Sequence, residues 1–305
     1  MAYKDYLVRA LAADEQIRAF AVTSRDTVEF ARKAHNLSPI AGAALGRTMS
    51  AALMMGDMLK NREDVLTIQI NGNGPLKGLT TVSNNQGAVR GYVKNPSVIL
   101  PPEKNGHLNV GGGIGQGTLT VIRDLGLKEP YVSTIPLHSG EIADDFTYYF
   151  AQSEQTPSSV GLGVLFDKNT VEVSCAGGFI VQLMPNCDSK VIDKLEENLK
   201  RFPGVTEVLK DGKTPEELLK AVLDGFDIQF LGTQDVGFKC NCSYQRCENI
   251  LASLGAKELD DIISKNEPVD LECAFCGKKY HYDIDAVKKI RAGFGENKGE
   301  NKESA

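Results

Sequence analysis

The chain has 305 residues, a formal net charge of −6 at pH 7, and 42% hydrophobic against 24% charged residues. That length holds one sizeable core plus a smaller unit, and the acidic balance excludes a broadly basic nucleic-acid surface. The opening Met1-Ala2-Tyr3-Lys4-Asp5-Tyr6 has no apolar signal region, and the most apolar helical run, residues 39–59, contains Arg47 and Asp57; neither export nor a membrane span is expected, and the expected address is the cytoplasm.

In chain order, residues 6–11 and 17–23 read as a strand hairpin. Residues 27–35 read as a helix with His35 at its exposed end. Ser38 then caps a longer helix with Pro39 at its first position. Leu45, Met49, Leu53 and Leu59 suit one buried face, Gly42, Gly46 and Gly56 permit close packing, and the methionines are expected in the core rather than against partners. From Val65 the period changes: residues 65–70, 79–82, 89–93 and 119–122 read as strands, with turns such as Asn84-Asn85-Gln86-Gly87 favouring antiparallel neighbours. The glycine-rich run 111–117 lacks the spacing of a phosphate loop and leads into a strand, so nucleotide binding is rejected. Glu141, Asp144 and Asp145 open a helix over 141–153 and are expected to stabilise its N-terminus rather than do acid–base work. His138 and Ser139 complete no triad. Cys175 and Cys187 lie in or beside a strand-like run, 171–184, as small buried or half-buried residues. No catalytic constellation emerges, and no enzyme is expected.

At Asp188 the texture shifts to short amphipathic helices. One follows Ile192, Leu195, Leu199 and Phe202; another starts at the capping box Thr214-Pro215-Glu216-Glu217, carries Leu218, Leu219, Val222 and Leu223, and ends near Gly225. Such helices are marginal alone and must dock on the sheet domain, on the C-terminal unit, or on both. Next comes Cys240-Asn241-Cys242, answered thirty residues later by Cys273-Ala274-Phe275-Cys276 and Gly277. Two close thiol pairs meet the needs of a tetrahedral four-thiolate zinc site, and in a chain without an export signal they point to metal or redox chemistry in a reducing compartment. Strand-like runs 269–272 and 279–282 flank the second pair, and helices are expected over 243–254, 257–264 and 283–291. Cys247 reads as a bystander and His281 as a strand-surface residue. The expected fold class is α+β: a mainly antiparallel sheet domain with packed helices (1–187), a helical linker (188–238), a four-cysteine zinc unit (239–291) and a disordered tail (292–305).

The cysteine arrangement resembles the redox-regulated 33-kilodalton heat-shock chaperone family. So do Ala44-Leu45-Gly46-Arg47, the run from Gly140 to Tyr149, Gln155-Thr156-Pro157-Ser158-Ser159-Val160-Gly161, Gly177-Gly178-Phe179 and Gln182-Leu183-Met184-Pro185. The resemblance spans roughly residues 5–291. It implies an ATP-independent holdase for unfolding proteins, inactive while reduced and holding one Zn2+ per chain on Cys240, Cys242, Cys273 and Cys276. Oxidation would form disulfides, release the zinc and unfold the C-terminal unit and linker. It implies the pairing Cys240–Cys242 and Cys273–Cys276, which proximity on a shared metal also favours. Cys175, Cys187 and Cys247 lie outside that motif. The partners it admits are unfolded clients and a second copy of the chain, above all in the active form, with neither nucleic acid nor membrane. Two other classes compete. A zinc ribbon binding nucleic acid or the translation machinery would want a basic stripe, but residues 239–291 hold nine Lys/Arg and nine Asp/Glu. A thiol oxidoreductase would want Cys273 and Cys276 at a helix start in a βαβ setting.

Overall fold

Hydrophobic residues at nearly every position of a helix require neighbours on all sides. Residues 39–57 meet that requirement between two sheets. A computed structural model describes residues 4–104 and 106–296. In it β1 (Tyr6–Ala12) and β2 (Ile17–Thr23) form the expected hairpin, Leu7 opposite Val22 and Ala12 opposite Ile17. Helix α1 (Arg25–His35) follows, and its first turn is capped from a distance: both the amide and the hydroxyl of Thr27 donate to Asp5 Oδ2 at 2.7 Å. In α2 (Pro39–Asp57) Ser38 accepts the Ala41 amide and Pro39 opens the helix, as expected. Burial is not confined to one face, since residues from Ile40 to Gly56 are buried with few exceptions, Met49, Met54 and Met55 among them. Leu59 lies beyond the helix end and is half-buried. A Cβ on Gly46 would stand 2.8 Å from both Val28 and Val164, so a bare backbone is what lets these elements meet. The helix's two charges find partners: Arg47 Nη1 reaches Glu141 Oε2 at 2.6 Å, and Asp57 lies 3.6 Å from Arg9.

One sheet against α2 consists of β3 (Val65–Gly72), β4 (Leu79–Ser83), β5 (Ala88–Val93), β6 (Gly117–Asp124) and β7 (Tyr131–Pro136), antiparallel in the order β5-β4-β3-β6-β7. The glycine run does lead into a strand, β6, after first forming one short helix, α3 (Val110–Ile114), capped by Asn109. Helix α4 (Ile142–Gln152) corrects the reading of its acidic residues. Asp145 is buried and accepts the amides of His138, Ser139 and Gly140, while Glu141 Oε1 takes the Gly111 amide at 2.9 Å. These carboxylates pin the preceding loop rather than only the helix end.

Strands β8 (Ser158–Phe166) and β9 (Val173–Leu183) join the first hairpin in a second sheet. Its two faces are both covered. Leu7, Phe20, Val22 and Ile180 belong to the core around α2, whereas Val8, Ala19, Ala21, Phe179 and Val181 belong to a separate core beneath α5 (Ser189–Arg201), α6 (Val205–Leu209) and α7 (Pro215–Val222). The capping box at Thr214 and Glu217 forms, and Leu218, Leu219, Val222 and Leu223 are wholly buried. The amphipathic helices therefore do dock on the sheet. β10 (Ile228–Asp235) then adds to β1, and the short β11 (Gly237–Phe238) runs parallel to β5, so one segment contributes to both sheets.

The chain divides into two compact units, Met1–Lys239 and Cys240–Ala305. In the second, α8 (Tyr244–Ser253), α9 (Ala256–Lys265), the antiparallel pair β12 (Val269–Glu272) and β13 (Lys279–Tyr282), and α10 (Ile284–Glu296) surround a small core of Cys247, Leu251, Leu259, Tyr280, Tyr282 and Val287. Arg291 on α10 forks onto both oxygens of Asp260 on α9. The helix expected to stop at 291 continues to Glu296, and the tail expected to be disordered lies, from residue 297, outside the described residues. No helix among the described residues is long and apolar enough to cross a membrane.

Candidate metal centre

Two local structures present the four paired cysteines. Cys240 and Cys242 sit on the chain just before α8, whose start is fixed by Ser243 accepting the Arg246 amide at 3.2 Å. Cys273 and Cys276 form the knuckle between β12 and β13. The amides of Cys276 and Gly277 both point back to the Cys273 carbonyl, at 3.3 and 2.8 Å, and the Cys273 amide reaches Lys278 O at 2.9 Å. Gly277 takes φ 69°, the left-handed conformation that lets so short a turn close.

The four sulfurs lie within 4.8 Å of one another. Cys240 Sγ is 3.7 Å from Cys273 Sγ, and Cys242 Sγ is 3.4 Å from Cys276 Sγ. A tetrahedron with metal–sulfur arms of about 2.3 Å has edges of roughly 3.8 Å, so the donor set fits a zinc-sized ion. All four cysteines are half-buried, which leaves the sulfurs open to small reagents. Burial raises the Cys240 thiol, and burial with hydrogen bonding to Cys242 and the other sulfurs pushes Cys276 up to about 12. At Cys242 burial works against the thiolate too, but Tyr280 and the neighbouring thiols outweigh it and bring the group down to about 7. The Tyr280 hydroxyl is buried and makes no well-aligned hydrogen bond, yet it stands close enough to favour charge on Cys242. The sequence reading did not single out Tyr280. Its signal was the i, i+2 pair Tyr280 and Tyr282 on a strand, both inward-facing in β13.

The other cysteines fall elsewhere. Cys247 is buried in the core of the unit and outside the four-sulfur group. Cys175 is buried in the core beneath α6, its thiol pushed up to about 11 mainly by that burial. Cys187 is half-buried. His281 is on the strand surface, as expected, with Nδ1 2.8 Å from Asp270 Oδ1.

The family model described as "Hsp33 protein" matches residues 5–283. A 33 kDa chaperonin of Agathobacter rectalis is 48% identical over 287 residues, 94% of this chain and 99% of the relative. One from Clostridioides difficile is 49% identical over 288 residues, with 94% and 98% covered. The crystal structure of the 33 kDa chaperonin (heat shock protein 33 homolog) of Thermotoga maritima superposes with a TM-score of 0.88 at 34% identity, covering 96% of this chain and 99% of that one. With the match running through the sheets, the docked helices and the four-cysteine cluster alike, this chain belongs to the Hsp33 family.

Proposed function

We propose that the chain is an ATP-independent holdase chaperone under redox control, with one Zn2+ per chain in its reduced form on Cys240, Cys242, Cys273 and Cys276. The observation that carries this reading is the convergence of those four sulfurs in a member of the Hsp33 family. When bound, zinc fixes the four sulfurs as thiolates and contributes on the order of 10–16 kcal/mol of apparent binding free energy, against roughly 5–15 kcal/mol for the stability of a whole domain. Thiolates are also the form that oxidants attack. Each neighbouring thiolate pair gives two electrons to an oxidant of the peroxide class, which takes two protons from solvent and leaves as water, and the products are the disulfides Cys240–Cys242 and Cys273–Cys276. These leave no thiolate to hold a metal. The buried core that the C-terminal unit shows among the described residues is then too small to keep it folded alone.

In this reading residues 1–187 are the sheet domain, 188–238 the linker and 239–291 the switch. Release of the linker offers its apolar faces, or the sheet surface beneath them, to unfolding proteins, which bind by burying nonpolar area without any nucleotide. The active form pairs with a second copy, and the working compartment is the reducing cytoplasm. The test measures zinc content, free thiols and suppression of client aggregation on the same reduced and oxidised samples. Equal activity in the reduced, zinc-loaded parent and the oxidised sample, or zinc that stays bound through full oxidation, would overturn the switch.

A further inference from the structure

At one end of the sheet built from β1, β2, β8, β9 and β10, two cavities of about 390 and 510 Å3 share Arg18, Thr156 and Gln182 as common lining. Each has the volume of an ordinary small-molecule site. Arg18 on β2 stands opposite Gln182 on β9 and donates Nη2 to its Oε1 at 2.6 Å, while Gln182 Nε2 donates to Ser158 Oγ at 3.1 Å. The guanidinium is thus positioned by two neutral side chains, Gln182 and the Phe20 ring, whose centroid lies 5.5 Å from Cζ. It has five N–H donors, and Gln182 takes one. No carboxylate pairs with it among the described residues, and desolvation alone lowers its hold on its proton.

The two acids that line the first cavity are already engaged. Asp64 accepts the Asn61 amide at 2.9 Å and its side chain at 3.2 Å. Glu154 Oε1 accepts both Arg123 and the Tyr149 hydroxyl at 2.5 Å. Arg18 is therefore a partly solvent-exposed cation with no carboxylate partner among the described residues. The walls around it are mixed: Met55, Leu59 and Phe150 form an apolar side in the first cavity, where Lys60 and Arg123 add positive charge, and Leu183 and Ile192 line the second. A methionine wall adapts to flexible alkyl chains. A guanidinium fork matches a carboxylate edge, whereas a dianion would add repulsion from Asp64 and Glu154.

We propose that this cavity pair binds a small aliphatic monocarboxylate, its carboxylate on Arg18 and its chain along Met55, Leu59 and Phe150. The site is remote in sequence from the cysteine cluster and does not rest on the redox reading. Octanoate titrated calorimetrically into the full-length, reduced, zinc-loaded protein should bind saturably, one per chain, while acetate and octylammonium should not. Arg18→Gln should weaken octanoate by about tenfold or more, the loss of a charge-assisted hydrogen bond. Arg18→Lys, which keeps the charge and loses the fork, should fall between. On the unmodified protein, octanoate should shift the backbone amide resonances of Leu59, Thr156 and Gln182, a readout that does not depend on any variant folding. No saturable binding, equal affinity for octylammonium, an undiminished Arg18→Gln variant that melts like the parent, or amide shifts confined to other regions would each overturn the assignment.

Discussion

The first turn of α1 is capped by Asp5, a residue far outside the helix, rather than by the helix's own cap position. Ser24, at the cap position, makes no side-chain capping bond, and Thr27 donates twice to Asp5 instead. Burial, opposed by those two Thr27 hydrogen bonds, raises the Asp5 carboxyl from 3.8 to about 6. Between those values the folded chain binds the proton more tightly than the unfolded chain does. This contribution is therefore full below about pH 4 and is lost as pH rises through about 6, on the order of 1–3 kcal/mol at most. Urea titrations of the parent and Asp5→Asn at several pH values should show the parent losing stability relative to the variant across that window. A constant difference would mean that the two Thr27 donors keep Asp5 ionised despite its burial. In the proposed zinc-bound form each of the four ligands would carry roughly a quarter of the metal's free energy, about 3 kcal/mol. Cys273→Ser should then weaken zinc by about two orders of magnitude, and Cys247→Ser, whose sulfur belongs to the core, should leave affinity unchanged. Competition with a chelating dye reads both; an equal loss in the two variants would make the ligand assignment wrong. Tryptic mapping of the oxidised chain should find Cys240 joined to Cys242 and Cys273 to Cys276. Because the cross-pair sulfurs Cys240–Cys273 and Cys242–Cys276 lie only 3.7 and 3.4 Å apart, cross-linked products are the informative failure.

Among the elements, α7 offers the sharpest experiment. Leu219 is fully buried against the sheet face that holds Val8, Ala19, Ala21 and Val181. Leu219→Glu puts a carboxylate there with no partner, a change that costs more than the roughly 2–5 kcal/mol of a simple truncation to Ala. The variant should hold a thermally unfolding client in solution under reducing conditions, with its zinc retained. A folded, zinc-loaded and inert Leu219→Glu protein would sink the idea that clients bind beneath or on these helices. How these elements were readable differs from case to case. The β1–β2 hairpin, the Ser38-Pro39 start of α2 and the Thr214 capping box follow local rules and appear as the sequence predicts. The cysteine cluster was legible for the same reason: spacing alone brings thiols together in pairs. The burial of α2 on every side was not, because a one-faced pattern cannot be told from a small-residue helix enclosed by two sheets. Strands β7, β8 and β10 escaped notice as well. β7 is largely exposed and ends at Pro136, β8 is interrupted by Gly161 and Gly163, and β10 has almost no buried side chain to mark a period. Tyr280 acts through a tertiary contact that no local window contains, and Asp145 turns back onto the amides of the loop just before its own helix, which a helix-end reading does not foresee.

For the molecule as a whole, the proportions of its cores decide what metal loss does. Among the described residues the C-terminal unit has a buried core of six, whereas α5–α7 share a core with Ala10, Ile17, Phe179 and other sheet residues inside the first unit. On the proposed zinc assignment, removing the metal would take away most of what stabilises the former and none of the contacts within the latter. Chelation under reducing conditions should therefore melt α8–α10 and the β12–β13 pair, while amide exchange in α5–α7 stays slow at room temperature. The docked helices are held by hydrophobic burial over short segments, and isolated helices of this length are marginal. Their release should need a second push, such as heat-shock temperature, on top of metal loss. Holdase activity of the chelated, reduced protein should accordingly be low at room temperature and rise steeply on warming, in step with faster exchange at Leu218, Leu219 and Val222. Measuring exchange and client aggregation on one chelated sample at both temperatures checks this. Full activity at room temperature with α5–α7 still protected would move the client surface into the unfolded C-terminal unit. Rapid exchange of α5–α7 on chelation alone would mean that the zinc unit supports them directly, and that the core beneath them is not enough.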